Sequence, residues 1–126
     1  MKMNIGVWIA QVLLALVFML SGAIKAFAPG VVEMVPWVQD SPTALVRVIG
    51  IVELVGGLGV LLPTVLRVVP KLSAVAAAGL ALVMLLATCF HLYRGEVSSV
   101  TTPVVLLLVA IFVAIGRWKL APIDAR

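Results

Sequence analysis

The chain has 126 residues, of which 64% are hydrophobic and 11% are charged, and its mean hydropathy is +1.31. This composition lies far outside the range of soluble domains, so it excludes a soluble protein and indicates a membrane protein. The net charge is +4, but the basic residues form no cluster long enough to follow a phosphate backbone, so nucleic acid is not expected as a partner.

Four continuous apolar stretches follow one another along the chain, each near the length of about 17 to 25 residues that crosses a hydrocarbon core. They cover roughly residues 5–28, 44–62, 72–93 and 104–118. Continuous rather than alternating apolar runs disfavour membrane strands. The connecting segments are short and rich in turn residues, so neighbouring spans must be antiparallel. The sequence predicts an all-α integral membrane protein, a single domain over residues 1–126 that forms an antiparallel four-helix bundle.

The first span also has the outline of a signal peptide, with a basic start and an A-x-A ending at Ala28. Its apolar run is too long for a signal peptide, whose apolar region has about 7 to 15 residues. Lys25 interrupts the would-be cleavage region, and Pro29 is a poor residue for a peptidase to cut before. We therefore expect this segment to be retained as a membrane span.

The positions of the nine basic residues predict the orientation of the spans. The side that holds both termini carries Lys2, Arg67, Lys71, Arg117, Lys119 and Arg126 as membrane-flanking anchors, whereas Lys25, Arg47 and Arg94 lie on the other side. Because cytoplasmic loops are enriched in Lys and Arg, both termini are expected in the cytoplasm. The sequence therefore predicts a multi-pass protein of the bacterial cytoplasmic (inner) membrane.

Polar and small residues line one face of each of the first three spans. At 100° per residue, Glu53 shares its side of the second span with three glycines, Gly50, Gly56 and Gly57. The first span aligns Gln11, Phe18, Ser21, Gly22 and Lys25, and the third aligns Ser73, Ala77, Met84, Ala87, Thr88 and His91. Glycines let helix backbones approach closely in membranes, so we expect helix packing at these three glycines and at Gly22.

An acid, an amine and an imidazole are predicted to meet in the membrane. Glu53 lies at a depth of about 13 Å, and Lys25 and His91 lean toward it because helical side chains lean toward the N-terminus. An unpaired charge at the centre of a span costs about 2.5 to 3.5 kcal/mol. We therefore expect Lys25 as the first partner of Glu53 and His91 as the second. Arg47 is disfavoured because it lies about 120° around the helix. The alternative is a buried ion pair that only fixes the packing register.

The stretch HLYRGE, residues 91–96, closes the third span and has two interpretations. It can be a plain helix end, with Arg94 near the last carbonyls and Gly95 as the C-cap. It can instead place His91, Arg94 and Glu96 around the mouth of a polar cavity floored by Glu53 and Lys25. No metal is expected, because His91 and the lone Cys89 lie on opposite faces of one helix.

Four segments of the sequence resemble a known family. They are ALVFMLSGAIKAFAP in the first span, RVIGIVELVGGLGVLLP in the second, HLYRGE at the end of the third, and the Gly116–Arg117 pair. Together they resemble the DoxX-like family of small four-helix bacterial membrane proteins. That family is named for a subunit of an archaeal thiosulfate:quinone oxidoreductase, and some relatives are linked to thiol-redox complexes or resemble chaperones of membrane receptors. This chain lacks the cysteine pair that direct dithiol transfer needs.

Three functions are compatible with these features, and the sequence favours the first over the other two. The first is an accessory redox subunit or binder of a quinone or similar amphipathic molecule, with a polar headgroup site in an apolar bundle. Its ligand-binding or proton-relay candidates are Glu53, Lys25, His91, Arg47, Arg94, Glu96, Ser21 and Gln11. The second is a structural or assembly subunit, a homo-oligomer or part of a membrane complex, whose glycine faces pack on a partner's helices. The third and weakest is transport of a small solute or proton, since four helices are few for alternating access.

Overall fold

A computed structural model of the protein describes residues 2–31 and 42–126, so most of the predicted first loop lies outside the described residues. Its four long helices are α1 (Lys2–Phe27), α2 (Thr43–Leu66), α3 (Lys71–Tyr93) and α4 (Thr101–Ile115). A 3₁₀ turn, Val97–Val100, precedes α4, and a π-helical turn, Gly116–Leu120, continues it. With these turns included, all four segments are long and apolar enough to cross a membrane, and they confirm the predicted all-α membrane bundle.

Each helix packs on its neighbours in the chain, and α4 closes the bundle by packing on α1. The contact between α1 and α2 is the most extensive, and α1 lies diagonally across the bundle from α3. Side chains near the end of α1 meet the first half of α2, whereas Gln11 meets the last turns of α2, so the two helices are antiparallel. We call the two ends of the bundle the Lys25 end and the Arg117 end.

An apolar core fills the middle of the bundle between these two ends. All four helices contribute to it through Leu14, Ala15, Phe18, Val60, Ala77, Leu80, Ala81, Met84, Ala110 and Val113. Large apolar side chains such as Leu20, Val55 and Leu86 remain exposed on the outside, where a bilayer provides the apolar surroundings they need. The core therefore separates the polar groups of one end from those of the other.

Glycines set the close approach of α1 and α2. A Cβ atom on Gly22 would lie 2.5 Å from the backbone nitrogen of Leu54, and one on Gly50 would lie 2.5 Å from that of Ala26. Real Cβ atoms do not come this close to backbone, so only glycine fits at either position.

Gly56 and Gly57 serve the same bundle rather than a partner. A Cβ on Gly56 would lie 2.6 Å from the Leu80 side chain, and one on Gly57 would lie 2.9 Å from Cγ of Met19. At these two positions the glycine face of α2 therefore packs on α3 and α1 of the same chain.

Helix α2 continues beyond residue 62, where the predicted second span ends just before Pro63. The helix runs through Pro63 to Leu66 and ends where Arg67 adopts a left-handed conformation with φ 56°. The backbone N–H of Arg67 bonds the carbonyl of Thr64 at 3.3 Å, and that of Val68 bonds Pro63 at 3.2 Å. A proline so near the C-terminal end removes one hydrogen bond and leaves the last turn intact, which explains the extension.

The α1–α2 contact can be tested with alanine substitutions. Gly22→Ala or Gly50→Ala should lower the free energy of unfolding by about 1 to 3 kcal/mol or more, because each added methyl meets backbone that cannot move aside. The measurement is thermal unfolding of the purified protein in detergent. The matched control is Gly79→Ala in α3, where an added Cβ meets nothing within 4 Å. Equal melting temperatures for Gly22→Ala and Gly79→Ala would contradict the close approach.

Candidate functional site

The Lys25 end holds a compact charged group on α1 and α2. Lys25 Nζ donates to both carboxylate oxygens of Glu53, at 3.2 Å to Oε1 and 2.9 Å to Oε2. Ser21 Oγ donates to Oε1 at 2.8 Å. We call Ser21, Lys25 and Glu53 the carboxylate centre. The predicted pairing of Lys25 with Glu53 is present, and any role of the pair in binding a ligand stays a prediction.

Burial makes this ion pair energetically important. The side chain of Glu53 is 1% exposed and that of Lys25 is 14% exposed. Removing one member of a buried pair leaves an uncompensated charge and costs about 3 to 5 kcal/mol, whereas two apolar replacements can be neutral. The pair therefore fixes the position of α1 along α2.

The local sequence explains how the side chains of the carboxylate centre meet. Ser21 and Lys25 are four residues apart, so they lie on the same face of α1. Gly22 and Gly50 bring the two backbones close enough for the Ser21 hydroxyl to reach the Glu53 carboxylate. Because α1 and α2 are antiparallel, the lysine and glutamate side chains lean toward each other.

Arg47 lies near the carboxylate centre but contacts a different atom. Its Nη1 donates to the backbone carbonyl of Lys25 at 3.3 Å. This bond caps the last turn of α1, where a cation also opposes the negative end of the helix dipole. Arg47 therefore supports the Lys25 end without being a hydrogen-bond partner of Glu53, as its position around the helix predicts.

His91 does not join the carboxylate centre as expected. Its Nδ1 lies 3.1 Å from Glu96 Oε1, and among the described residues the hydrogen bonds to Glu53 come from Ser21 and Lys25. The prediction of His91 as the second partner is therefore wrong. His91 is two residues from the end of α3, about 3 Å deep, whereas Glu53 is ten residues into α2, about 15 Å deep.

The HLYRGE segment forms a second cluster at the same end of the bundle. Arg94 Nε lies 3.3 Å from Glu96 Oε1, and Gly95 with φ 74° turns the chain so that Glu96 reaches back to His91. The Arg94 guanidinium lies over the Phe90 ring, 5.2 Å from its centroid. His91, Arg94 and Glu96 thus meet one another as a helix-end cluster. Helix α3 ends at Tyr93 with Arg94 as its C-cap, so Gly95 lies one residue beyond the predicted cap position.

Two of the cavities within the described part of the chain are lined by no residue of the carboxylate centre. One of about 440 Å³ lies at the Arg117 end, lined by Trp8, Thr64, Val65, Arg67, Pro122, Ile123 and Asp124. The other, about 270 Å³, is an apolar groove between α1 and α4, lined by Gly6, Ile9, Ala10, Leu13, Leu14, Val17, Leu106 and Val109. The expected cavity floored by Glu53 is therefore not among them.

A second polar centre, unexpected from the sequence, lies at the Arg117 end. Arg117 Nε donates to Gln11 Oε1 at 2.7 Å, and Nη1 donates to Asn4 Oδ1 at 2.7 Å. Gln11 Nε2 in turn donates to the Val60 carbonyl at 2.6 Å and to Thr64 Oγ1 at 3.0 Å.

Thr64 extends this centre to α3 by donating to Ser73 Oγ at 2.7 Å. We call Asn4, Gln11, Thr64, Ser73 and Arg117 the arginine centre. Its hydrogen bonds join residues of α1, α2 and α3 to the turn that continues α4.

Two sequence interpretations are corrected here. Arg117 was expected to be a membrane-flanking anchor, but it is 1% exposed. The π-helical turn, marked by a bond of 2.7 Å from Ala121 N–H to the Gly116 carbonyl, adds a residue to the turn and directs Arg117 inward. Gln11 was grouped with Glu53, but it contacts Thr64, about 16 Å further along α2.

Sequence reasoning missed Asn4, Thr64 and Arg117 as members of a site. The available signals were a glutamine inside an apolar run and a glycine immediately before an arginine at the end of a span. Gly116 packs against Val7, where a Cβ would lie 2.6 Å from Cγ2. That contact brings the backbone before Arg117 close to α1.

The family comparison agrees with the resemblance seen in the sequence. A model of the DoxX-like family matches residues 9–113, which includes the whole carboxylate centre. No curated protein and no solved structure matches the chain. Since the family model covers most of the chain and the chain has four membrane-spanning helices, this multi-pass membrane protein belongs to the DoxX-like family.

Proposed function

We propose that this protein is a non-catalytic structural or assembly subunit in the membrane, and that its carboxylate centre fixes one geometry of the bundle. One observation carries the proposal: both oxygens of Glu53 accept hydrogen bonds inside the chain while the side chain is 1% exposed. A carboxylate whose acceptors are occupied and whose surroundings are packed has the properties of a register-fixing ion pair.

The glycine contacts support the same function. Gly22 and Gly50 bring the backbones of α1 and α2 into close contact beside the ion pair. The charged groups therefore lie where these two helices pack most tightly. A bundle fixed in this way presents a rigid apolar surface to the bilayer or to the helices of a partner. We propose a second copy of the chain or another membrane protein as that partner, because an assembly subunit acts through such contacts.

Paired substitutions distinguish a structural ion pair from a site that needs its charges. Glu53→Gln and Lys25→Met should each lower the free energy of unfolding by about 3 to 5 kcal/mol, since each leaves its buried partner uncompensated. The double variant Lys25→Met/Glu53→Leu should recover most of this loss. Thermal unfolding in detergent measures both effects, with Lys119→Gln, an exposed cation at the other end, as control. A double variant less stable than either single variant would sink the structural account.

Binding of a quinone or a similar amphipathic molecule is the second candidate function. The observation that favours it is the partial exposure of Lys25, whose ammonium group is a donor suited to a carbonyl oxygen. Arg47 and the His91–Glu96 cluster lie at the same end and would surround such a headgroup. Glu53 would then hold or pass a proton beside the bound carbonyl.

The same double variant decides between the two candidates. If the protein binds quinone through Lys25, quinone extracted from the purified wild type should be absent from Lys25→Met/Glu53→Leu and present in Lys119→Gln. Equal quinone content in all three proteins, with a stable double variant, favours the structural function. Loss of quinone from a stable double variant favours ligand binding.

Transport is less well supported than either candidate. The apolar core lies between the carboxylate centre and the arginine centre. A proton or polar solute crossing the bundle would have to pass this layer, whose side chains offer no hydrogen bonds.

We further propose that the protein resides in a bacterial cytoplasmic membrane with the Arg117 end in the cytoplasm. The support is the excess of basic residues at that end, six against three. A single cysteine introduced as Arg126→Cys in a Cys89→Ala background should be protected from an impermeant thiol reagent in intact cells and react after lysis. Labelling of this cysteine in intact cells would show that the Arg117 end faces the outside, which contradicts the proposed orientation.

A further inference from the structure

The arginine centre contains a buried positive charge that no carboxylate neutralises. Within residues 2–31 and 42–126, the hydrogen bonds of Arg117 go to uncharged acceptors, Gln11 Oε1, Asn4 Oδ1 and the Ala121 carbonyl. Its Nη2 atom is buried and has no hydrogen-bond partner in the described part of the chain. A buried cation without a counter-charge is costly, so an anion near this centre would be stabilised.

The cavity of about 440 Å³ is lined by Trp8 and Thr64, two residues that connect it to Arg117. The Trp8 ring lines the cavity, and the Arg117 guanidinium carbon lies 4.9 Å from the centre of the same ring. Thr64 also lines the cavity and is joined to Arg117 through Gln11. One tryptophan ring and one hydrogen-bonded glutamine thus connect the buried guanidinium to the cavity wall.

A second arginine lies in the cavity wall itself. Arg67 is exposed, and its Nε donates to the backbone carbonyl of Asp124 at 2.8 Å. Within the described residues this arginine forms no ion pair with a carboxylate, so its charge is available to a ligand. Asp124 also lines the cavity, and water screens its exposed carboxylate as it screens the exposed Arg67 guanidinium. The charge of Arg117 is buried and is screened less.

The rest of the lining is apolar and lies where α2 ends. Val65, Pro122 and Ile123 form apolar walls beside Arg67, which follows the last residue of α2. A site with cationic groups at the end of a membrane span and apolar walls beside them matches a phospholipid, whose phosphate is joined to apolar chains.

We propose that this cavity binds the phosphate group of an anionic ligand at the membrane surface, with an anionic phospholipid as its source. Arg67 contacts the phosphate directly. Arg117 is a positioning residue that acts through Trp8 and the Gln11–Thr64 pair by adding a positive charge behind the cavity wall. Inorganic phosphate shares the relevant chemistry, and the experiment separates the two sources.

Native mass spectrometry of the purified protein tests this proposal by titration with phosphatidylglycerol, phosphatidylcholine and inorganic phosphate. Phosphatidylglycerol should bind more tightly than phosphatidylcholine, and Arg67→Gln should weaken its binding about tenfold, the effect of one lost charge-assisted hydrogen bond. Lys119→Gln is the matched control, because it removes an exposed cation at the same end outside the cavity lining. Unchanged phosphatidylglycerol affinity in Arg67→Gln, or equal affinity for both lipids, would overturn the proposal.

Competition identifies the source of the phosphate. Displacement of phosphatidylglycerol by millimolar inorganic phosphate would support a free phosphate ligand, and persistence of the lipid would support the phospholipid. Arg117→Lys, which keeps the charge, should retain more affinity than Arg117→Gln at matched stability. Equal losses of phosphatidylglycerol affinity in these two variants would show that the charge of Arg117 does not contribute to binding and that its role is packing alone.

Discussion

The ion pair between Lys25 and Glu53 is the constraint on which the arrangement of this bundle depends. A carboxylate about 15 Å from the end of its helix needs a partner in the membrane, and the lysine side chain on α1 supplies it with bonds to both oxygens. The pair forms because Gly22 and Gly50 let the two backbones touch. Charge and packing therefore impose the same register on α1 and α2, and neither requirement can be met without the other.

The two polar centres lie at opposite ends of the bundle and differ in how their charges are paired. The carboxylate centre joins two helices and pairs its own charges. The arginine centre links α1, α2, α3 and the turn after α4, and the hydrogen bonds of Arg117 to the described residues go to uncharged acceptors. The apolar core keeps them apart. One end of the bundle therefore holds a packed ion pair, and the other holds a buried guanidinium beside a cavity.

Most of the fold and the contact between Lys25 and Glu53 could be predicted from the sequence, whereas the contacts of Arg117 and His91 could not. Continuous apolar runs predict four spans, and helical periodicity with the lean of side chains predicts that Lys25 meets Glu53, because both rules depend on local geometry alone. The burial of Arg117 could not be predicted, since a π-helical turn shifts residue positions in a way that regular 100° spacing does not describe. Helical periodicity alone places His91 on a face toward Glu53, but Gly95 turns the chain after α3 and brings Glu96 Oε1 to 3.1 Å from His91 Nδ1.

The central claim is that Lys25 and Glu53 are in direct contact in the membrane. Solid-state NMR of the protein in lipid bilayers, with ¹⁵N at the Lys25 side chain and ¹³C at the Glu53 carboxyl group, measures this contact through the dipolar coupling of the two nuclei. The Nζ–Oε distances of 2.9 and 3.2 Å predict a strong coupling that Ser21→Ala preserves, because the lysine bonds to both oxygens do not depend on the hydroxyl. Absence of this coupling in the wild-type protein would contradict the account.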